Sequence, residues 1–443
     1  MRAVVFRREL KELFRLAVPL AAAQAGTNLM GLVDVAVLGR LGARELAGAG
    51  LANAVFFAFS IMGMGLVMGV DPLISQAVGA GDRLRARHTM WQGIWLSLVV
   101  AAGLTTVLLL ATWLLPRVGS SPELIGPARL YLLVRVVSIV PFLMFFAVRS
   151  YLQSHGHTRP MVLSMVLANV ANFGLDILFV FGAGPIPAMG VAGAALATVF
   201  CTILQLAIVG AAVRQIDVQG HVDHRWSTQD VARAFRVGLP LALQMGAEVG
   251  VFALVALLAS RLGTLQLAAH QLVIGVASFT FTVALGVAAA GSVRVGIGVG
   301  ARDPLATRFA GHVAFLCGIL VMGVAATGFA TIPRAIARLV TNQENVILAS
   351  LPLMLVAAVF QLSDGIQAVG AGVLRGAGDT KYAFYANLFG HWAIGLPVAL
   401  FLGFKQGMGI VGLWWGLCTG LTVVAVLLFV RFEMLARRGI EPL

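Results

Sequence analysis

Apolar stretches of about 20 residues or more follow one another along the whole chain, each closed by a short polar or Gly-rich break. Their lengths predict about twelve helices, near residues 12–38, 46–77, 90–115, 123–150, 160–182, 190–214, 231–260, 267–299, 309–333, 345–374, 381–404 and 409–435. Met1 to Arg15 is basic and runs directly into a full-length span, so we expect a retained first helix rather than a cleaved leader with its short apolar core. The pattern is that of an all-α integral membrane protein.

Composition agrees with this reading. Of 443 residues, 60% are hydrophobic and 11% charged, against roughly 25% charged residues in a soluble domain. A net charge of +13 would by itself point to nucleic acid, but its distribution points elsewhere. With twelve spans both termini share a side, and that side collects Arg2, Arg7, Arg8, Lys11, Arg83, Arg85, Arg87, Arg214, Arg225, Arg233, Arg437 and Arg438. The opposite loops hold chiefly Arg40, Arg44, Arg117, Arg261 and Lys405. The positive-inside rule then predicts a multi-pass protein with cytoplasmic termini and no nucleic-acid partner. Cys201, Cys317 and Cys418 stand alone in apolar runs and read as core thiols.

The pattern also repeats. "RLAVPL" at Arg15 and "RVGLPL" at Arg236 lie 221 positions apart, and the same offset pairs Pro19 with Pro240, Arg40 with Arg261, Gly79 with Gly300 and Asp82 with Asp303. Later spans agree more loosely, through "HGHTRP" with "GAGDTK" and "MGVAG" with "MGIVG". The repeat predicts a six-helix lobe over 1–215, a polar cytoplasmic linker over 216–230 and a second six-helix lobe over 231–443. An even number of spans per half makes the repeat parallel, a plan common among transporters.

Against this apolar ground a few polar residues stand out. In "LMGLVDVAVLG" Asp34 sits within a run otherwise suited to lipid, where a charge costs about 2.5–3.5 kcal/mol on insertion scales. Thr27, Gly31 and Asp34 share one helical face, and Pro19 upstream permits a bend. In the fifth span Asn169, Asn172 and Asp176 again fall on one face. Two carboxylates and several amides in one lobe make a hard-oxygen site for Na⁺ or for a shared proton, because two close like charges resist joint ionisation. The second lobe carries Glu248 and Asp364, and Glu248 corresponds to Thr27 rather than to Asp34 under the repeat. The lobes thus share a scaffold and place their carboxylates differently. Asp71, Asp82, Asp303 and Asp379 lie at turns beside glycines and are expected to cap helices or pair within loops. The histidines lack metal-ligand spacing, and no HExxH, GxSxG or Walker motif occurs, so an enzyme is not expected and uphill movement must draw on an ion gradient.

These residues resemble the multidrug and toxic compound extrusion (MATE) transporters, and among them the bacterial NorM-like group. The resemblance runs the length of the chain through "AVPLAAAQAGTNLMGLVDVAVLGRLG", "QAVGAGD", "NFGLD", "GVAGAALAT", "AAHQ" and "LRGAGDT". It implies a two-lobed, twelve-helix antiporter without a cofactor that expels amphipathic, often cationic organic compounds in exchange for H⁺ or Na⁺. By position it implies cation coupling at Asp34, Asn172, Asp176 and Thr198 and at Glu248 and Asp364; were Na⁺ rather than H⁺ the coupling ion, it would sit at Asp34, Asn172 and Asp176 or at Glu248 and Asp364. Where some members carry Tyr one turn before the second Asp, this chain has Phe360, which offers no oxygen. Substrate contacts are expected at Asp34, Asn169, Glu248, Gln361 and Asp364, in a monomer whose partners are drug-like molecules and membrane lipid. A lipid-linked precursor flippase would share the fold but is expected to have a strongly cationic cavity, whereas the basic residues here fall mostly in loops. A non-transporting scaffold finds no specific support.

Overall fold

Among the residues described by the computed structural model, 2–117 and 121–443, twelve helices are long and apolar enough to cross a membrane. In chain order they are Val4–Leu38, Ala43–Gly79, Arg83–Arg117, Pro122–Ser154, Arg159–Phe181, Val191–Gln215, Thr228–Arg261, Thr264–Gly300, Pro304–Thr331, Glu344–Gly376, Thr380–Lys405 and Gly409–Arg438. We call them the first to twelfth spans. A short helix, Pro333–Val340, separates the ninth from the tenth. Most spans run several residues beyond their predicted ends, because hydropathy marks the apolar centre of a helix and is blind to the polar turns that continue it.

The turns follow local chemistry, and the repeat is visible in them. Asp82 accepts a hydrogen bond from the Arg85 N–H at 2.8 Å, and Asp303, its counterpart, accepts one from the Ala306 N–H at 2.9 Å. These caps supply an acceptor for a first-turn N–H that has no partner inside its helix. The residue before each cap is left-handed, Gly81 at φ 79° and Arg302 at φ 53°, so the second copy holds with a side chain what the first holds with glycine. Asp379 caps the eleventh span through the Tyr382 N–H, whereas Asp71 accepts from the Ser150 hydroxyl between spans. The second span breaks at Gly69, where a Cβ would stand 2.6 Å from the backbone nitrogen of Gly238. The eleventh span contains two stretches of wider, π-helical winding, Phe389–Gly395 and Phe401–Lys405, of the kind that recurs at functional sites.

The chain packs as two compact units, one formed by Met1–Ala21 with Leu243–Leu443 and the other by Ala22–Ala242. By this division the first and seventh helices are each shared between units, and the chain passes from one unit to the other two residues after Pro19 and two residues after Pro240. The segment 216–230 lies wholly inside the Ala22–Ala242 unit. The repeat recurs in the packing of each unit. A Cβ on Gly65 would meet the Ala242 backbone at 2.7 Å, and a Cβ on Gly286 would meet that of Ala21 at the same distance, all four positions being related by the 221-residue offset. In the unit containing the carboxyl terminus, fully buried Trp414 packs edge-on against Phe360 at 5.4 Å and His270 at 5.8 Å between ring centres. The three cysteines are buried and unpaired.

Candidate functional site

Three spans of the Ala22–Ala242 unit converge on Asp34. The amide nitrogen Nδ2 of Asn172, from the fifth span, donates to Asp34 Oδ1 at 3.0 Å, and the Thr198 hydroxyl from the sixth approaches Oδ2 at 3.5 Å. Asn172 and Asp176 are one turn apart and fully buried, Thr198 nearly so, and Asp34 is half-buried. Among the described residues no N–H group and no hydroxyl donates to either buried carboxylate oxygen of Asp176, and the Asp34 carboxyl lies beside them. Two adjacent carboxylates held by one amide and one hydroxyl lack the donors needed to neutralise them, so a proton or a monovalent cation fits the arrangement.

A cation of the protein also acts on Asp34. The Arg135 guanidinium of the fourth span reaches Asp34 electrostatically; it donates to the Ser138 hydroxyl at 2.9 Å and lies over the Phe56 ring at 4.6 Å. The sequence reading overlooked it because that reading followed carboxylates. The signal was present all the same, as a single Arg in the apolar run "YLLVRVVSIV". Asn169, on the same face of the fifth span, donates its amide nitrogen to the Gly26 carbonyl at 3.0 Å and to the Met165 carbonyl at 2.9 Å, and its amide oxygen is buried without a partner among the described residues. Thr27 and Gly31, expected to share a lining face with Asp34, are both exposed.

The Met1–Ala21 with Leu243–Leu443 unit holds a second group. Asn387 of the eleventh span donates to Glu248 Oε2 at 3.4 Å, Gln367 also reaches the Glu248 carboxylate, and Asp364, itself buried, faces that charge. Gln361, buried on the same span as Asp364, donates its amide nitrogen to the Thr280 hydroxyl, and its amide oxygen has no partner among the described residues. Gln367 stands three residues after Asp364, a spacing that could have revealed it; Asn387, alone in its helix, carried no such signal. Beside this group Tyr385, Leu388, Phe389, Trp392 and Ala393 line an open apolar recess of about 580 Å³. Among the described residues no cluster of three or more His, Cys, Asp or Glu is present. The carboxylate, amide and hydroxyl oxygens of both groups are hard donors, of the kind that suit a proton or an alkali cation.

Twelve spans built as a tandem repeat, with isolated carboxylates buried against amides and hydroxyls, define a membrane transporter rather than an enzyme. The model of the MatE family matches residues 19–178 and 240–401, one copy in each half, and the chain belongs to that family. It is 34% identical over 439 residues to the probable multidrug resistance protein NorM of Bradyrhizobium diazoefficiens, covering 97% of this chain and 94% of that protein. It is 30% identical over 445 residues to the multidrug resistance protein NorM of Aliivibrio fischeri, covering 98% and 96%. Its fold matches the crystal structure of the eukaryotic MATE transporter AtDTX14 with a TM-score of 0.86 at 22% identity, covering 98% of this chain and 99% of that one.

Proposed function

We propose that the protein is a multidrug efflux antiporter of the plasma membrane, with both termini cytoplasmic, that exports amphipathic and often cationic organic compounds in exchange for H⁺ or Na⁺ by alternating access. The observation that carries this reading is the adjacent pair Asp34 and Asp176, in which the second carboxylate, among the described residues, has no donor other than a proton shared with Asp34. Such a pair is stable in a membrane only while a cation or proton shares it, so its occupancy and the conformation of the first helix depend on each other. The bend permitted by Pro19 lets that helix respond. Substrate and coupling ion then compete, directly or through the helix, for the neutralised carboxylates. Glu248 with Asp364, supported by Gln367 and Asn387, forms the second candidate for either task, and Arg135 tempers the charge of the first.

Ethidium efflux from proteoliposomes, driven separately by a proton gradient and by a sodium gradient, tests the proposal. Flux under either gradient that disappears on dissipating it is the expected result. Lipid scrambling without gradient-driven drug flux would replace the antiporter with a flippase.

A further inference from the structure

Glu9, one of the first helical residues, is only 3% exposed, and Arg294 of the eighth span grips it. The guanidinium donates through Nε at 3.0 Å and through Nη2 at 2.7 and 2.8 Å, so both carboxylate oxygens are bonded. Neither residue belongs to the carboxylate groups described above. A buried pair of this kind adds little net stability over a well-packed apolar replacement, but removing one partner strands the other without water. Its geometric effect is to hold one helix to another at a defined register.

The residue 221 positions further on is Asp230, in the first turn of the seventh span, and it too is acidic and paired. Arg85 Nη2 donates to its Oδ1 at 2.6 Å, His88 Nε2 lies 3.1 Å from Oδ2, and the Ser227 hydroxyl donates to Oδ2 at 2.8 Å. The basic partners are not related by the repeat: Arg294 lies in the eighth span, Arg85 and His88 in the third. The two halves therefore reach the same end, an anchored helix start, through different residues. Each pair lies within one unit, Glu9 with Arg294 in one and Asp230 with Arg85 and His88 in the other. Each anchored segment is also joined covalently to the other unit, just past Pro19 or Pro240.

We propose that Glu9–Arg294 and Asp230–Arg85–His88 are matched, permanent anchors that make each half-helix travel with its own unit, leaving the crossings after Pro19 and Pro240 to absorb the motion of transport. The inference rests on the alternating-access reading for its purpose. Its structural content stands separately: each pair lies within one of the two units, so a movement between the units need break neither.

Two measurements test it. Spin labels on Val4→Cys and Ala301→Cys, both exposed and both within one unit, should give a single narrow distance with or without drug and coupling ion, and Glu9→Gln should broaden it. A second distance appearing in the otherwise unaltered protein on adding drug would overturn the proposal, whether or not the protein transports. In proteoliposomes Glu9→Gln should lower ethidium turnover about tenfold, within the range of ordinary conformational couplings, without changing ethidium affinity. The reversed pair Glu9→Arg with Arg294→Glu should recover it. Glu9→Cys with Arg294→Cys, joined by a short bis-maleimide while the buried native cysteines stay unreacted, should transport as well as the wild type. Arrest by the cross-link with drug binding intact would instead make the pair a gate. Absence of gradient-driven flux in the wild type would sink the antiporter reading and leave the distance measurement to decide the anchor.

Discussion

Replacing Asp34 by Asn separates the charge of the amino-terminal carboxylate pair from its shape. In the wild type Asp34 accepts from Asn172 at 3.0 Å, and among the described residues no N–H group and no hydroxyl donates to either oxygen of the neighbouring Asp176. The substituted amide keeps an oxygen for Asn172 and adds N–H groups that Asp176 can accept, so folding and thermal stability should be retained. What disappears is one negative charge. At about 4 Å and an effective dielectric near 20, a carboxylate contributes about 4 kcal/mol to holding a monovalent cation, and its loss weakens binding about a thousandfold. At ion concentrations that saturate the wild type the variant site should stand empty, and ethidium efflux from proteoliposomes should fall to background under the gradient that drives the wild type. Loss under a proton gradient alone would make Asp34 a protonation switch, and loss under a sodium gradient alone would make it a sodium ligand. A well-folded Asp34→Asn protein that transports at the wild-type rate under both gradients would refute the reasoning.

Other predictions follow from the packing. Gly286→Val forces a side chain onto the Ala21 backbone, 2.7 Å from the position of its first carbon, and should destabilise the protein by about 1–3 kcal/mol; Gly275→Val, where nothing lies within 4 Å, is the control in a detergent melting assay, and equal midpoints would contradict the packing. Trp414→Ala empties a fully buried ring that touches Phe360 and His270, at a cost of about 3–5 kcal/mol, and Trp414→Phe should recover much of the lost melting temperature. Gln92 donates to the Arg225 carbonyl at 2.8 Å and accepts from the Ser227 N–H at 3.0 Å; Gln92→Ala should free that segment and raise tryptic cleavage after Arg225 several-fold, whereas an unchanged digestion rate would show that the two bonds do not restrain it.

Gln92 also shows where a sequence reading of this chain stops. Arg85, His88, Gln92 and Trp95 fall at helical spacing on one stripe of the third span, and together they bind the segment 216–230, read from the sequence as a polar linker. The stripe was legible in principle. Its partner was not, because the contacts join residues more than 120 positions apart and consist largely of backbone carbonyls, which every residue supplies alike. Asn169 and Gln361 illustrate the converse. The sequence marks their amides as candidate substrate contacts, and only packing shows their nitrogens committed to the Gly26 and Met165 carbonyls and to Thr280, with both oxygens unpartnered among the described residues.

The amino-acid sequence by itself determined the twelve spans, the 221-residue repeat and the presence of Asp34, Asp176, Glu248 and Asp364 inside them. Each of these depends on hydropathy or identity, properties that residues carry independently of their neighbours in space. Only the tertiary structure decided which polar groups meet. It set Asn172 and Thr198 on Asp34, Asn387 on Glu248, Arg135 within reach of the first pair and Glu9 on Arg294. It also divided the first and seventh helices between two units just past their repeated prolines. Helical periodicity assigns a residue to a face, but the helix that face meets is chosen by the packing of small residues such as Gly65 and Gly286, whose missing side chains let two backbones approach and thereby fix the rest.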